Sequence, residues 1–207
     1  MGNTPNNNFP YPEATGLVKD GWEDIKDLAT SIDTKLGVYG AAGLVKLSTT
    51  TFSAVSSVSL PANTFTSTYD NYFLVIRPTN FSAGSGTMNG RLRSAGTDNT
   101  TSTYITSGMG YNNGGSNFTY TSGVTTQFIF GGISVGDCTV FPLNINTPFG
   151  SNNSYISQTS YGQNHTGGGG AYFYGGSFFN TTSFDSFSFY PSTGTMTGSY
   201  SVYGYSK

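Results

Sequence analysis

Apolar residues recur at helical spacing in one stretch near the start of the chain. They are separated by three, four, three and four positions, and they are Trp22, Ile25, Ala29, Ile32 and Leu36. This spacing is that of an a/d seam over two heptads. Asp20, with Glu23 three residues later, has the form of a capping box, and Gly37 follows the last apolar position. The pattern predicts an amphipathic α-helix over 21–36.

The predicted helix needs a packing partner, because an isolated helix of this length is marginal in water. Two alternatives remain open. The apolar stripe either folds back on the rest of its own chain or meets copies of itself on a symmetry axis. Charged residues such as Lys26, Asp27 and Asp33 lie off the stripe, which suits solvent on the other sides of the helix and favours self-association.

From residue 47 onward the hydrophobic pattern changes to short runs of alternating period separated by turn signals. The predicted strands are 51–60, 72–77, 88–94, 104–111, 118–120, 125–130, 139–145, 154–160, 171–179, 184–190 and 196–205. Many short strands at this spacing predict a mainly β fold, an antiparallel β-sandwich or jelly-roll-like body that follows a short N-terminal α-helix.

The last two predicted strands have the clearest alternation. Phe187 and Phe189 alternate with hydroxyl-bearing residues, the sequence PSTG at 191–194 is a turn signal, and Tyr200 and Val202 continue the apolar set after the turn. We expect a hairpin with one apolar face and one hydroxyl-bearing face.

These patterns divide the chain into three parts: an extended arm over 1–19, a helix and connector over 20–46, and a β-domain over 47–207. The arm contains Phe9, Pro10 and Tyr11, where proline restricts the backbone to extended conformations. Two interpretations stand side by side. The arm docks its aromatic residues into a groove of another protein, or it is a disordered leader.

Charge follows the same division. The first 46 residues carry 10 of the 18 Lys, Arg, Asp and Glu residues, and the net charge of the chain is −2. The chain has no excess of basic residues, so we expect neither nucleic-acid binding nor membrane insertion. The N-terminus lacks the basic and apolar regions of a signal peptide, which predicts a soluble product made in a cytoplasm. The single Cys138 cannot form an internal disulfide, and we expect it to be a small core residue.

Residues suited to catalysis are sparse in the β-domain. It contains four carboxylates, Asp70, Asp98, Asp137 and Asp185, and one histidine, His165. Acid–base catalysis uses paired carboxylates or a tuned histidine, and zinc or calcium sites need more ligands than these positions supply at the right spacing. The sequence therefore predicts no enzyme, no metal site and no cofactor.

Tyrosines beside Gly- and Asn-rich turns are the candidates for ligand contact. The candidate receptor-loop residues are Tyr111, Asn113, Tyr161, His165, Tyr172 and Tyr174. Tyrosine, glycine and asparagine are typical of binding loops, and sugars or surface glycans would suit them. The alternative is that these tyrosines pack on or between β-sheets.

Three stretches resemble bacteriophage virion proteins, the tail fibres and head or tail spikes of short-tailed, marine-type phages. The helix segment 21–33 (GWEDIKDLATSID) resembles the virion-proximal start of such proteins. Residues 69–76 (YDNYFLVI) with 91–96 (RLRSAG) resemble their early strands, and 184–191 with 198–205 resemble their final hairpin.

This resemblance implies a homotrimer on the virion, made in the host cytoplasm and exposed on the particle surface. Its N-terminus, with Phe9, Pro10 and Tyr11, would dock to other virion proteins, and the helix stripe would form the trimer stem. The β-domain would face outward, with host attachment, through bacterial surface glycan, as its expected role. The chain lacks an extended shaft of repeats, which favours a short fibre or knob. The alternatives are a capsid decoration protein without a receptor role, a stand-alone carbohydrate-binding module, and an enzyme that degrades polysaccharide.

Overall fold

The fold is described from a computed structural model of the chain. The described residues are 2–3, 10–11, 21–40, 43–112, 117–136, 138–163 and 169–206. By its internal contacts the chain divides into two compact units, Met1–Gly43 and Leu44–Lys207. The division lies at Gly43 and Leu44, whereas the sequence placed it between residues 46 and 47.

The N-terminal unit contains the helix α1, Gly21–Gly40, and two short antiparallel strands, β1 (Gly2–Asn3) and β2 (Pro10–Tyr11). The predicted helix end at residue 36 is wrong, because α1 continues to Gly40. A glycine inside a helix costs only about 1 kcal/mol, so Gly37 alone does not stop it. Gly43, with a φ of 93°, adopts the left-handed conformation just before the first strand of the body.

The body consists of antiparallel strands, in agreement with the predicted mainly β fold. Their bounds are β3 Leu44–Val55, β4 Val58–Ser59, β5 Asn71–Phe81, β6 Gly86–Ser94, β7 Thr97–Asp98, β8 Tyr104–Asn112, β9 Asn117–Thr121, β10 Phe128–Ile133, β11 Phe141–Asn146, β12 Ser154–Gln163, β13 Gly169–Phe178, β14 Ser186–Pro191 and β15 Met196–Tyr205. Each predicted strand overlaps one of these. The predicted strand 51–60 corresponds to the end of β3 and to β4, because the alternation does not show the break between them.

Two sheets form the body. The large sheet has eight strands in the order β3-β15-β5-β11-β12-β13-β8-β9, and the small sheet has the order β10-β6-β14-β4, with β7 also paired to β6. Every strand pair is antiparallel. The first strand of the body, β3, pairs with its last strand, β15, which ties the two ends of the body together.

The core lies between the two sheets and is rich in aromatic rings. Phe130 of the small sheet contacts Phe141 of the large sheet with ring centroids 6.0 Å apart, and Phe189 contacts Tyr200 at 5.8 Å. All four side chains are buried. Edge-to-face aromatic pairs of this kind stabilise the fold beyond the contribution of the apolar area that they bury. The expected β-sandwich body is confirmed.

The predicted hairpin of the last two strands is wrong. β14 pairs with β4 and β6 in the small sheet, whereas β15 pairs with β3 and β5 in the large sheet. The turn at 191–194 therefore crosses from one sheet to the other, and Gly194 adopts a φ of 72° there. Alternation identifies the face of a strand that points to the core, but it is the same whichever sheet the strand joins.

Aromatic rings pack directly against glycines within the strands. A Cβ atom at Gly90 would lie 2.2 Å from Cζ of Phe187, and one at Gly131 would lie 2.4 Å from Cε1 of Phe141. The rings occupy the space that a side chain would need. The high content of both glycine and aromatic residues thus has one structural explanation, which is close packing of rings on bare backbone.

Candidate functional site

The apolar stripe of α1 is exposed in the single chain. Trp22 is 62% exposed and Ile25 is 66% exposed, and Ala29 and Ile32 are also exposed. Leu36 lies within α1, but its side chain is outside the described residues. Leu28, on the neighbouring face of the helix, is half-buried. An exposed tryptophan and two exposed isoleucines on one helix face are typical of an interaction surface.

The candidate receptor-loop tyrosines fall into two groups. Tyr111 and Tyr161 are exposed, whereas Tyr172 and Tyr174 lie in β13 and are buried. Asn113 and His165 lie outside the described residues, as does Phe9 of the arm. Pro10 and Tyr11 form β2, with side chains outside the described residues. Tyr172 and Tyr174 therefore lie in a strand and not in a loop, which corrects that part of the expectation, although Tyr174 is one of the residues that line the groove described below.

The burial of these two tyrosines follows from glycines on the neighbouring strand. Tyr172 pairs with Gly110 and Tyr174 pairs with Gly108 across β13 and β8. A Cβ atom at Gly110 would lie 2.5 Å from the ring of Tyr172, and one at Gly108 would lie 2.7 Å from the ring of Tyr174. Burial raises the pKa of Tyr174 to about 12, with smaller contributions from Tyr172 and Tyr120. Both tyrosines pack the inner side of the large sheet.

The outer side of the same strands carries a second set of large apolar side chains. Tyr161 pairs with Ala171, which pairs with Tyr111, so the two exposed tyrosines lie in one row across β12, β13 and β8. They are two strand spacings apart, about 10 Å. In the next row Phe173 of β13 pairs with Met109 of β8, and both are exposed.

We call this surface the neutral face. It comprises the outward-facing residues of β12, β13, β8 and β9, namely Tyr155, Ser157, Thr159, Tyr161, Ala171, Phe173, Gly175, Ser107, Met109, Tyr111, Thr119 and Thr121. The four strands contain no Asp, Glu, Lys or Arg. Aromatic and hydroxyl-bearing side chains both lie on it.

A groove of about 580 Å³ runs across the neutral face. Three consecutive residues of each strand line it: 157–159, 173–175, 107–109 and 119–121. The small outward-facing residues Ser157, Gly175 and Ser107 lie in one row, and Phe173 and Met109 lie in the next outward-facing row. The row between these two, Gln158, Tyr174, Gly108 and Tyr120, also lines the groove. A Cβ atom at Gly175 would have no atom within 4 Å, so the groove is open there. A flat ligand can reach the backbone at Gly175 while it contacts the ring of Phe173.

The carboxylates of the body are dispersed. Asp98 lies 3.2 Å from Arg93 and 3.8 Å from Arg91 in ion pairs, and Asp185 accepts a hydrogen bond from the Ala95 N–H at 3.0 Å. Asp137 lies outside the described residues. Within the described part of the chain, no group of three His, Cys, Asp or Glu residues is arranged to hold a metal ion.

Cys138 is exposed, so its expected place in the core is wrong. Its thiol lies 3.6 Å from the carbonyl oxygen of Thr79. It precedes β11, and Thr139 takes the buried position instead. Cys138 lies before β11, outside the alternating pattern of the strand, so that pattern does not predict whether its side chain is buried.

The sequence did not identify Tyr155, Phe173 or Met109 as surface residues. β13 has aromatic residues on both faces, with Tyr172 and Tyr174 in one phase and Phe173 in the other, so alternation cannot choose the inner face. The signal that distinguishes them is the paired glycines of β8, which leave room for rings on the inner side only.

Among the described residues, no helix is long and apolar enough to cross a membrane. No protein-family model matches the chain, and no curated protein matches it significantly.

Proposed function

We propose that this chain is a structural protein of a bacteriophage virion, a short trimeric fibre or knob that presents its β-sandwich outward for attachment to the host surface. In this proposal α1 forms the trimer stem, and the arm that precedes it docks to other virion proteins. The chain acts by binding and has no catalytic role.

The observation that carries the proposal is the exposed stripe of α1. A helix with Trp22, Ile25 and Ile32 on one exposed face gains stability when that face is buried against an equivalent face. Burial of such large apolar side chains contributes roughly 1.5–3 kcal/mol each. The number of copies, three, comes from the resemblance to phage fibres and spikes.

The character of the body also supports a display role. Its core is a cluster of buried aromatic and aliphatic side chains, and a packed core of this kind suits a protein exposed on a particle. Asp98 is paired with two cations, Arg91 and Arg93, and not with a second carboxylate.

The test is the native mass of the full chain, measured by analytical ultracentrifugation. We expect a species near three times the chain mass of 21.9 kDa. The double variant Ile25→Asp/Ile32→Asp should shift this species to the monomer, because it places charge in the seam, while the circular dichroism of the β-body stays unchanged.

A matched control adds the same charge elsewhere on α1. Thr30 and Thr34 are exposed and lie off the stripe, and each donates a hydrogen bond to a backbone carbonyl one turn earlier. The variant Thr30→Asp/Thr34→Asp should keep the wild-type mass. A monomeric wild-type chain, or a seam variant with unchanged mass, would contradict the stem.

A further inference from the structure

We infer that the neutral face binds an uncharged polysaccharide, laid across β12, β13 and β8 in the groove beside Phe173. This inference rests on the proposed function, because it names the ligand class for attachment. It differs from that proposal in relying only on the β-body and not on the stem.

Aromatic rings on the neutral face supply the apolar contacts. Phe173 and Met109 line the groove, and Tyr161 and Tyr111 lie in the next outward-facing row. The face of an aromatic ring carries partial negative charge, which attracts the weakly positive C–H groups on the flat side of a pyranose. A sheet holds these rings at fixed spacing, so the surface is ordered before a ligand arrives.

Hydroxyl groups beside the rings supply the polar contacts. Five hydroxyl-bearing residues line the groove: Ser107, Thr119, Thr121, Ser157 and Thr159. Each hydroxyl both donates and accepts hydrogen bonds, which matches the equal donor and acceptor character of sugar hydroxyls. The open position at Gly175 lets a sugar ring approach the backbone.

The absence of charge selects the kind of polysaccharide. None of the residues in β8, β9, β12 and β13 is charged. A uronate or sulfate group bound here would lose water without gaining a cation as partner, at a cost that is large for a charged group. A neutral chain has no such cost.

The dimensions of the neutral face suit a chain of sugars. Tyr155 and Tyr161 stand at the two ends of its exposed part of β12, six residues or about 20 Å apart. Across the strands, the groove extends from Ser157 in β12 to Thr121 in β9, a span of about 14 Å. This area exceeds the size of a single sugar and indicates an oligosaccharide-length contact.

The test is affinity electrophoresis of the full chain in native gels that contain a dissolved polysaccharide. Dextran, mannan, galactan and levan are the neutral probes, and alginate is the charged probe. We expect at least one neutral probe to retard the chain and alginate to have no effect. Phe173→Ala should raise the apparent Kd for that probe at least tenfold.

Phe149→Ala is the matched control, because Phe149 is a partly exposed phenylalanine that lines a different pocket, with Thr66 and Tyr69, and does not line the groove. It should bind as the wild type does, and both variants should keep the wild-type unfolding temperature. Retardation by none of the neutral probes, or an equal loss in both variants, would overturn the inference.

A second copy of the chain is the rival occupant of the neutral face. If Phe173→Ala lowers the native mass, the face is an interface between copies and the inference fails. The stem variant Ile25→Asp/Ile32→Asp separates the two proposals. A monomeric wild-type chain that still binds a neutral probe contradicts the stem alone, and a trimer that binds none contradicts only the polysaccharide site.

Discussion

The buried hydroxyl group of Tyr104, in the large sheet, forms a hydrogen bond to the backbone of the small sheet. It accepts a hydrogen bond from the Leu92 N–H of the small sheet at 3.2 Å and donates one to the Asn99 carbonyl at 2.9 Å. Its ring packs edge to face on Phe128 and Phe178. Burial raises the pKa of Tyr104 well above its usual value, so the hydroxyl stays protonated.

Removal of this hydroxyl should therefore lower the free energy of unfolding. Tyr104→Phe keeps the ring but leaves the Leu92 N–H without its partner, and we expect a loss of about 1–3 kcal/mol in the free energy of unfolding. Urea denaturation measures it. Tyr205→Phe is the control, because the Tyr205 hydroxyl bonds Asn144 at an exposed position where water can replace it. Equal losses in the two variants would contradict the role of burial.

The buried tyrosines also predict the behaviour of the body at alkaline pH. An unfolded tyrosine has a pKa of about 10, whereas burial raises the pKa of Tyr174 to about 12. The folded state favours the neutral hydroxyl, so its contribution is fully present below about pH 10 and is lost as the pH rises from about 10 to about 12.

We expect the free energy of unfolding to decline over that alkaline range, and to decline less steeply in Tyr174→Phe. This variant keeps the ring over Gly108, so the stability at neutral pH should change little. Urea denaturation at a series of pH values is the measurement. An identical alkaline slope in wild type and variant would show that Tyr174 does not contribute.

At the scale of the elements, the two faces of one strand can be compared directly. Gly175 and Gly176 are adjacent in β13 and point to opposite sides of the large sheet. A Cβ atom at Gly176 would lie 2.7 Å from Phe128 and 3.0 Å from the carbonyl oxygen of Ile105, whereas one at Gly175 would have no neighbour within 4 Å.

Alanine should destabilise the protein at Gly176 but not at Gly175. Gly176→Ala forces a methyl group against the Phe128 ring, and we expect a loss of about 1–3 kcal/mol. Gly175→Ala adds a methyl group in open space and reduces the freedom of the unfolded chain, so stability should be unchanged or rise by less than about 1 kcal/mol. Thermal unfolding of the two variants is the measurement, and a comparable loss in both would contradict this packing.

The elements also show how much of the fold can be predicted from the sequence. Local alternation located most of the strands, although it merged the end of β3 with β4 and did not find β7. The pairing of β14 with β6 rather than with β15 depends on contacts between residues far apart in the chain. A local pattern does not contain that information, and the hairpin prediction failed for this reason.

The candidate sites differ in the same way. The stripe of α1 could be read from residue spacing alone, since all its residues lie on one helix. The neutral face could not, because Tyr111 and Tyr161 become neighbours only through Ala171 of a third strand. Composition indicated that tyrosines and glycines matter, but strand register decides which of them reach the surface.

At the scale of the whole molecule, the stem and the neutral face make one joint prediction. Three copies held together by α1 would present three neutral faces to one polysaccharide. Once the first face has bound, the second binds at a high effective concentration, and linked sites gain avidity of about 10²–10⁴ over a single site. A short oligosaccharide that occupies one face would gain nothing from the trimer.

The measurement is therefore a comparison of two ligand lengths on two forms of the chain. The wild type and Ile25→Asp/Ile32→Asp should bind an oligosaccharide cut from the retarding polysaccharide with equal Kd in calorimetry. On the immobilised polysaccharide, the wild type should bind at least about a hundredfold more tightly. If the seam variant loses affinity for the short ligand as well, the stem must shape the site itself. If the two forms bind the long ligand equally, the three faces do not act together, and attachment would depend on one face at a time.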